Sequence, residues 1–153
     1  MELSQAVKDV LNSKNRVNIL STVNEKGETD VAVFGSAQLT EKGTISFVLK
    51  NTSRSLTNIK ETTYASCLVL LPETEGSGLK IKGCRVYLKK DFIERSRNPV
   101  YLVERSEGEA AGWEKSFNVD RENKAEDRST PDSYLVVFSI VEARPIVDTG
   151  QGI

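Results

Sequence analysis

The chain has 153 residues, with 21 Lys and Arg against 22 Asp and Glu, 7% aromatic residues and no histidine. That length suits a single domain spanning 1–153 that buries about two-thirds of its unfolded surface, while the balanced charge and sparse aromatics exclude a general nucleic-acid surface. Without histidine there is no Ser-His-Asp or Cys-His pair and no usual catalytic zinc site, so redox or group-transfer chemistry would fall to a bound cofactor.

The N-terminus, Met-Glu-Leu-Ser-Gln-Ala-Val-Lys, lacks the basic start and continuous apolar core of a signal peptide, and no apolar run reaches the length of a membrane span. Leu3, Val7, Val10 and Leu11 recur at helical spacing, which predicts a short amphipathic helix lying across a sheet. Val17 to Val23 reads as a strand. Asn24-Glu-Lys-Gly-Glu28 reads as a hairpin turn, and Thr29 to Leu39 as the return strand. On that strand Val31, Val33, Gly35, Ala37 and Leu39 share one face, and Ala32, Phe34, Ser36 and Gln38 the other. Gly35 marks either a close approach by another group or a bulge or barrel corner. A second turn, Thr40 to Gly43, leads into the next strand, so residues 16–50 read as a three-stranded antiparallel meander.

The stretch Thr44 to Asn58 carries the chemistry. Ile45, Phe47 and Leu49 alternate with Ser46 and Lys50, and the strand then breaks at Asn51 into hydroxyl residues around one arginine. Thr52 or Ser53 can cap a helix in which Leu56 and Ile59 face inward. The free N–H groups of its first turn, the Ser53 and Ser55 hydroxyls and the Arg54 guanidinium then converge on a place that suits a phosphate dianion. The alternative is an ordinary solvated cap with a solvated arginine.

Tyr64 to Leu71 is an apolar run of strand length bounded by Pro72, and Leu79 to Phe92 alternates again, with Lys80 and Lys82 on a solvated face and a bend at Gly83. Cys67 and Cys84 lie in these apolar runs without a Cys-x-x-Cys pattern, and read as buried reduced thiols of a cytoplasmic protein. Asn98-Pro99 starts a helix expected to stop near Gly108. The charged section Glu104 to Asp132, with Trp113 and Phe117 as its apolar anchors, reads as a partly helical excursion with a mobile section from Asp120 to Pro131. A final, nearly apolar strand runs from Tyr134 to Ala143, ended by Arg144-Pro145, and the tail Asp148 to Gly152 is a loop. These elements predict a mainly β fold, a six-stranded antiparallel barrel with peripheral helices.

Taken in order, residues 19–27, 30–36, 45–48, 51–59, 66–71 and 79–83 resemble the FMN-binding split-barrel superfamily, which includes pyridoxamine 5'-phosphate oxidase and many small flavin-binding proteins. The resemblance covers about Val17 to Lys89, and the Ser-Arg-x-x-x-Asn run after a strand is its most specific piece. It implies a split barrel that binds FMN, with the phosphate at Ser53, Arg54 and Ser55 and Thr52 supporting the turn. It further implies that Val33, Phe34, Gly35 and Ser36 run beneath the flavin, that Val48, Leu49 and Asn51 line the other side, and that Asn58 ties the helix to neighbouring backbone. A homodimer with flavin at the subunit interface is implied too, with Trp113 or Phe117 either reaching the partner's flavin or packing in the core. Pyridoxamine phosphate oxidases end in a basic and aromatic segment that grips the substrate phosphate, whereas this chain ends Arg-Pro-Ile-Val-Asp-Thr-Gly-Gln-Gly-Ile. The function implied is therefore an FMN-dependent oxidoreductase acting with another small-molecule electron donor or acceptor. The alternatives are a non-enzymatic FMN storage or electron-transfer protein, or a barrel for another anionic cofactor such as a deazaflavin or haem.

Overall fold

A computed structural model describes residues 2–40, 42–73, 80–96 and 133–147. Helix α1 (Gln5–Leu11) starts at Ser4, whose hydroxyl accepts a hydrogen bond from the Val7 N–H, and it buries Val7 and Leu11. The strands are β1 (Val17–Val23), β2 (Thr29–Val33), β3 (Gln38–Leu39), β4 (Thr44–Lys50), β5 (Tyr64–Glu73), β6 (Lys80–Ser96) and β7 (Ser133–Arg144), with helix α2 (Arg54–Glu61) between β4 and β5. They form one sheet in the order β2-β1-β5-β6-β7-β4-β3, and each neighbouring pair is antiparallel.

Seven strands replace the expected six because the return strand after the first hairpin divides. It pairs with β1 only as far as Val33, and β3 then pairs with β4 at the opposite edge of the sheet. Residues 16–50 are therefore no simple meander: β4 lies between β3 and β7, away from β2. The four residues Phe34 to Ala37 carry the chain from one edge to the other. At the start of this strap the Phe34 N–H donates to the Asn18 carbonyl at 2.9 Å, and Asn18 Nδ2 donates to the Phe34 carbonyl at 3.1 Å. Farther on, the Ser36 hydroxyl accepts from the Val48 N–H at 3.0 Å and donates to the Val48 carbonyl at 3.2 Å. One side chain thus satisfies two backbone groups of β4 beyond the end of β3, and the strap joins the two edges of the sheet. Arg16 secures it from below by donating to the Ala37 carbonyl. Gly35 lies in this corner and is exposed.

The inward faces of the strands form the core, with Leu20, Phe47, Val69, Val86, Leu88, Val136 and Phe138 among its most buried side chains. Phe47 takes Phe34 edge-on at 6.2 Å between ring centroids and Phe138 at 5.9 Å, so the strap is pinned to the core by an aromatic ring. Gly83 marks close contact of β6 with β5: a Cβ there would stand 2.0 Å from the Val69 carbonyl oxygen. Pro72 does not end β5 but pairs with Ile81 within it. β1 reaches only to Val17, opposite Leu70, so the side of β5 on which a proline N–H would be missed is open at Pro72. Both cysteines are buried and free. The helix expected from Asn98-Pro99, the charged excursion with Trp113 and Phe117, and the tail from Asp148 lie outside the described residues.

Candidate functional site

The break after β4 is a tight turn in which the Ser53 N–H donates to the Lys50 carbonyl at 2.9 Å. Ser53, in extended conformation, is the N-cap of α2. Its hydroxyl accepts from the Leu56 N–H at 3.3 Å and its carbonyl from the Thr57 N–H at 3.2 Å. The N–H groups of Arg54 and Ser55 in the first turn have no acceptor among the described residues. Arg54 is exposed and its guanidinium likewise has no partner among them. Asn51 and Thr52 stand exposed beside it. The end of α2 therefore presents two uncommitted N–H donors, a hydroxyl proton from Ser53, the positive end of the helix dipole and an exposed cation.

The helix is fixed in place from beneath. Leu56 and Ile59 are buried in the core, and Asn58, 4% exposed, donates to the Thr22 hydroxyl of β1 at 3.0 Å. The Thr62 hydroxyl donates to the Val23 carbonyl at 2.9 Å. At the far end Lys90 Nζ donates to the Ile59 carbonyl at 2.8 Å, where a cation suits the dipole, and Lys60 lies 4.6 Å from the centre of the Tyr134 ring. Ser55 also belongs to this underside: it is 1% exposed and its hydroxyl donates to Asp30 Oδ2 on β2 at 3.3 Å. Its backbone N–H faces the helix end, but its hydroxyl does not join Ser53 and Arg54 there. Asn58 holds the helix to a side chain of β1 rather than to backbone.

The second group of expected residues meets along the strap and β4. Val33 is 50% exposed, Gly35 is exposed, Phe34 turns its ring into the core, and Ser36 bonds to Val48. Strand alternation puts Val48 on the face that also carries Ser46 and Lys50, whereas Leu49 points into the barrel and is 1% exposed. The structure thus joins Val33, Gly35, Ser36 and Val48 in one region that runs along β4 to the turn at Asn51, Thr52, Ser53 and Arg54. Leu49 belongs to the core, and Ser55 and Asn58 to the helix underside. Lys50 escaped the sequence reading. Its position on the Val48 face, just before the hydroxyl run, is the signal that could have found it; its Nζ is buried with no hydrogen-bond partner among the described residues.

The rest of the titratable chemistry is quiet. Burial, aided by the neighbouring Cys84, pushes the Cys67 thiol up to about 12 against weaker lowering by the Ile19 backbone and Arg16, and burial pushes Cys84 up to about 11. Both thiols stay protonated near neutral pH and supply no nucleophile. Among the described residues no group of three or more His, Cys, Asp or Glu is placed to hold a metal ion, and no helix is long and apolar enough to cross a membrane.

No protein-family model and no curated protein matches the sequence. Solved structures do match the fold. An FMN-binding protein from Syntrophomonas wolfei subsp. wolfei superposes with a TM-score of 0.62 at 19% identity, over 94% of this chain and 85% of that one. An F420 reductase superposes with a TM-score of 0.63 at 12% identity, over 92% and 98%. The haem storage protein HutZ from Vibrio cholerae gives 0.61 at 17% identity, over 95% of each chain. The chain therefore has the split-barrel fold of the FMN-binding superfamily that its sequence resembles.

Proposed function

We propose that this protein binds FMN, holding its phosphate at the N-terminus of α2 and its flavin beside the strap and β4, and that it is a flavin-dependent oxidoreductase for a small-molecule donor or acceptor. The observation that carries this reading is the uncommitted donor set of Arg54, Ser55 N–H and Ser53 at the end of a helix fixed by Asn58 and Thr62. A phosphate fits those donors. The adjoining surface fits a flat, partly apolar group: Val33 is exposed, and Gly35 adds no side chain.

Bound FMN supplies hydride and single-electron chemistry. The chain's own part is binding and orientation: Arg54 and the helix end fix the phosphate, Ser36 holds the strap against β4, and Val33 and Val48 exclude water. No protein residue has to act as acid or base, which agrees with the lack of histidine and with two buried, protonated thiols. Those free thiols also suit a reducing compartment such as the cytoplasm.

The same reading includes a homodimer with flavin at the subunit interface. It is supported by the apolar outer face of β2, where Val31 and Val33 are 64% and 50% exposed. Of the other cofactors, haem fits least, because the chain has no histidine, its single methionine is Met1, and both cysteines are buried in the core.

Three measurements test the reading. Quenching of flavin fluorescence during titration should give saturable binding of FMN. Light scattering should give twice the chain mass. Oxidation of a reduced nicotinamide by the loaded protein should separate an enzyme from a storage or electron-transfer protein. Absence of saturable FMN binding would refute the proposal.

A further inference from the structure

Asn18 stands on the inward face of β1 with Leu20, directly across from Val69 of β5, and it is 2% exposed. That is a place for an apolar side chain, since Leu20 and Val69 beside it are wholly buried. The amide is only half satisfied there. Nδ2 donates to the Phe34 carbonyl at 3.1 Å, whereas Oδ1 is buried with no hydrogen-bond partner among the described residues. A buried acceptor left unpaired is unfavourable, so an apolar residue of similar size would suit the core better.

What the amide does secure is the start of the strap. The β1–β2 register ends at Ile19 and Val33, and from the next residue the chain turns away toward β4. Nδ2 stands farther from the main chain than a backbone N–H, and it reaches the Phe34 carbonyl as that group leaves the ladder, while the Asn18 carbonyl accepts the Phe34 N–H at 2.9 Å. One residue thus holds both backbone polar groups of Phe34, immediately before the exposed Gly35 and before Ser36, which bonds to Val48. We infer that Asn18 is a positioning residue of the flavin site: through Phe34 it sets the direction in which the strap leaves the sheet, and so the place of the wall formed by Gly35, Ser36 and Val48. It touches no ligand itself. This rests on the FMN reading and adds to it a residue of the barrel interior, retained against the preference of the core.

The test uses the full chain with Asn18→Leu, which keeps the size of the side chain and removes its amide, and Asn18→Thr, a strand former whose hydroxyl is too short to take the place of Nδ2. FMN and riboflavin are titrated against each, and thermal unfolding and amide hydrogen exchange are followed without ligand. The expected result is a loss of affinity of about 3- to 10-fold for both flavins alike, because the strap meets the ring and not the phosphate. The absorption peaks of the bound flavin should move toward those of free flavin. The Phe34 and Val48 amides should exchange faster while the β1–β5 ladder stays protected, and the unfolding midpoint of Asn18→Leu should hold or rise. Wild-type affinity for both flavins overturns the role of Asn18 and leaves the FMN reading standing. A lower midpoint with protection lost throughout β1 also overturns it, as the mark of a residue that serves the fold alone. If the wild type binds neither flavin, the FMN reading has failed and the exchange data decide: faster exchange confined to Phe34 and Val48 supports the hold of Asn18 on the strap, and unchanged exchange overturns it.

Discussion

Replacing Arg54 by alanine separates the proposed phosphate-binding role of the helix end from its structural role. Arg54 is exposed and has no partner among the described residues, so removing its side chain breaks no hydrogen bond or ion pair with them. The free energy of unfolding should stay within about 0.5 kcal/mol of wild type. A guanidinium bonded to a phosphate contributes about 1.5–3 kcal/mol, which corresponds to a loss of about 10- to 150-fold in FMN affinity. Riboflavin, lacking the phosphate, should bind both proteins alike. Because Arg54 is solvated, the loss should shrink at high salt. Fluorescence titration at two ionic strengths, with urea unfolding of the same samples, measures each quantity. An FMN affinity within about twofold of wild type would mean that no phosphate meets Arg54 and would refute the placement at the end of α2.

Three further outcomes follow from the same geometry. Ser36→Ala leaves the Val48 N–H and carbonyl without their partner and should cost about 1–2 kcal/mol in urea unfolding, with weaker FMN binding as the strap loosens; unchanged stability would show that the edges of the sheet do not depend on this hydroxyl. Gly83→Ala sets a methyl group 2.0 Å from the Val69 carbonyl oxygen, a backbone atom, and should lower stability by at least about 1–3 kcal/mol; an unchanged thermal midpoint would contradict the tight β5–β6 contact. The thiols give a pH dependence of definite sign. Their folded pKa values, about 12 for Cys67 and about 11 for Cys84, lie above the ordinary 9.0, so as pH rises past 9 the unfolded chain loses these protons first. Their contribution is therefore fully present below pH 9 and declines as pH rises toward 11, and a Cys67→Ala/Cys84→Ala variant should show a flatter decline; equal slopes would contradict the burial of the thiols.

Local pattern carried much of this fold. The alternation of Val17 to Val23 and of Thr44 to Lys50 sufficed for β1 and β4, and Ser53 with Leu56 and Ile59 was enough to start α2 and to choose its buried face. The strap was not legible for a physical reason: alternation continues unbroken from Val31 to Leu39, while the chain's departure at Phe34 is decided by Asn18 and Val48, partners distant in sequence. Ser55 misled in the same way. Its hydroxyl belongs to a helix-end pattern, but Asp30, 25 residues earlier, takes it for the underside of the helix. Pro72 looked like a strand end, because only the sheet order shows that one side of β5 is open there. Lys50 reads as an ordinary polar residue of an alternating strand, and only the fold shows that its Nζ is covered.

Whether this barrel holds FMN is tested most directly by the visible absorption spectrum of the purified protein, taken as isolated and again after FMN addition and dialysis. The expected result is a retained flavin band with shifted, structured peaks that Arg54→Ala loses on dialysis. A spectrum with no retained band, together with unquenched FMN fluorescence on titration, would contradict it.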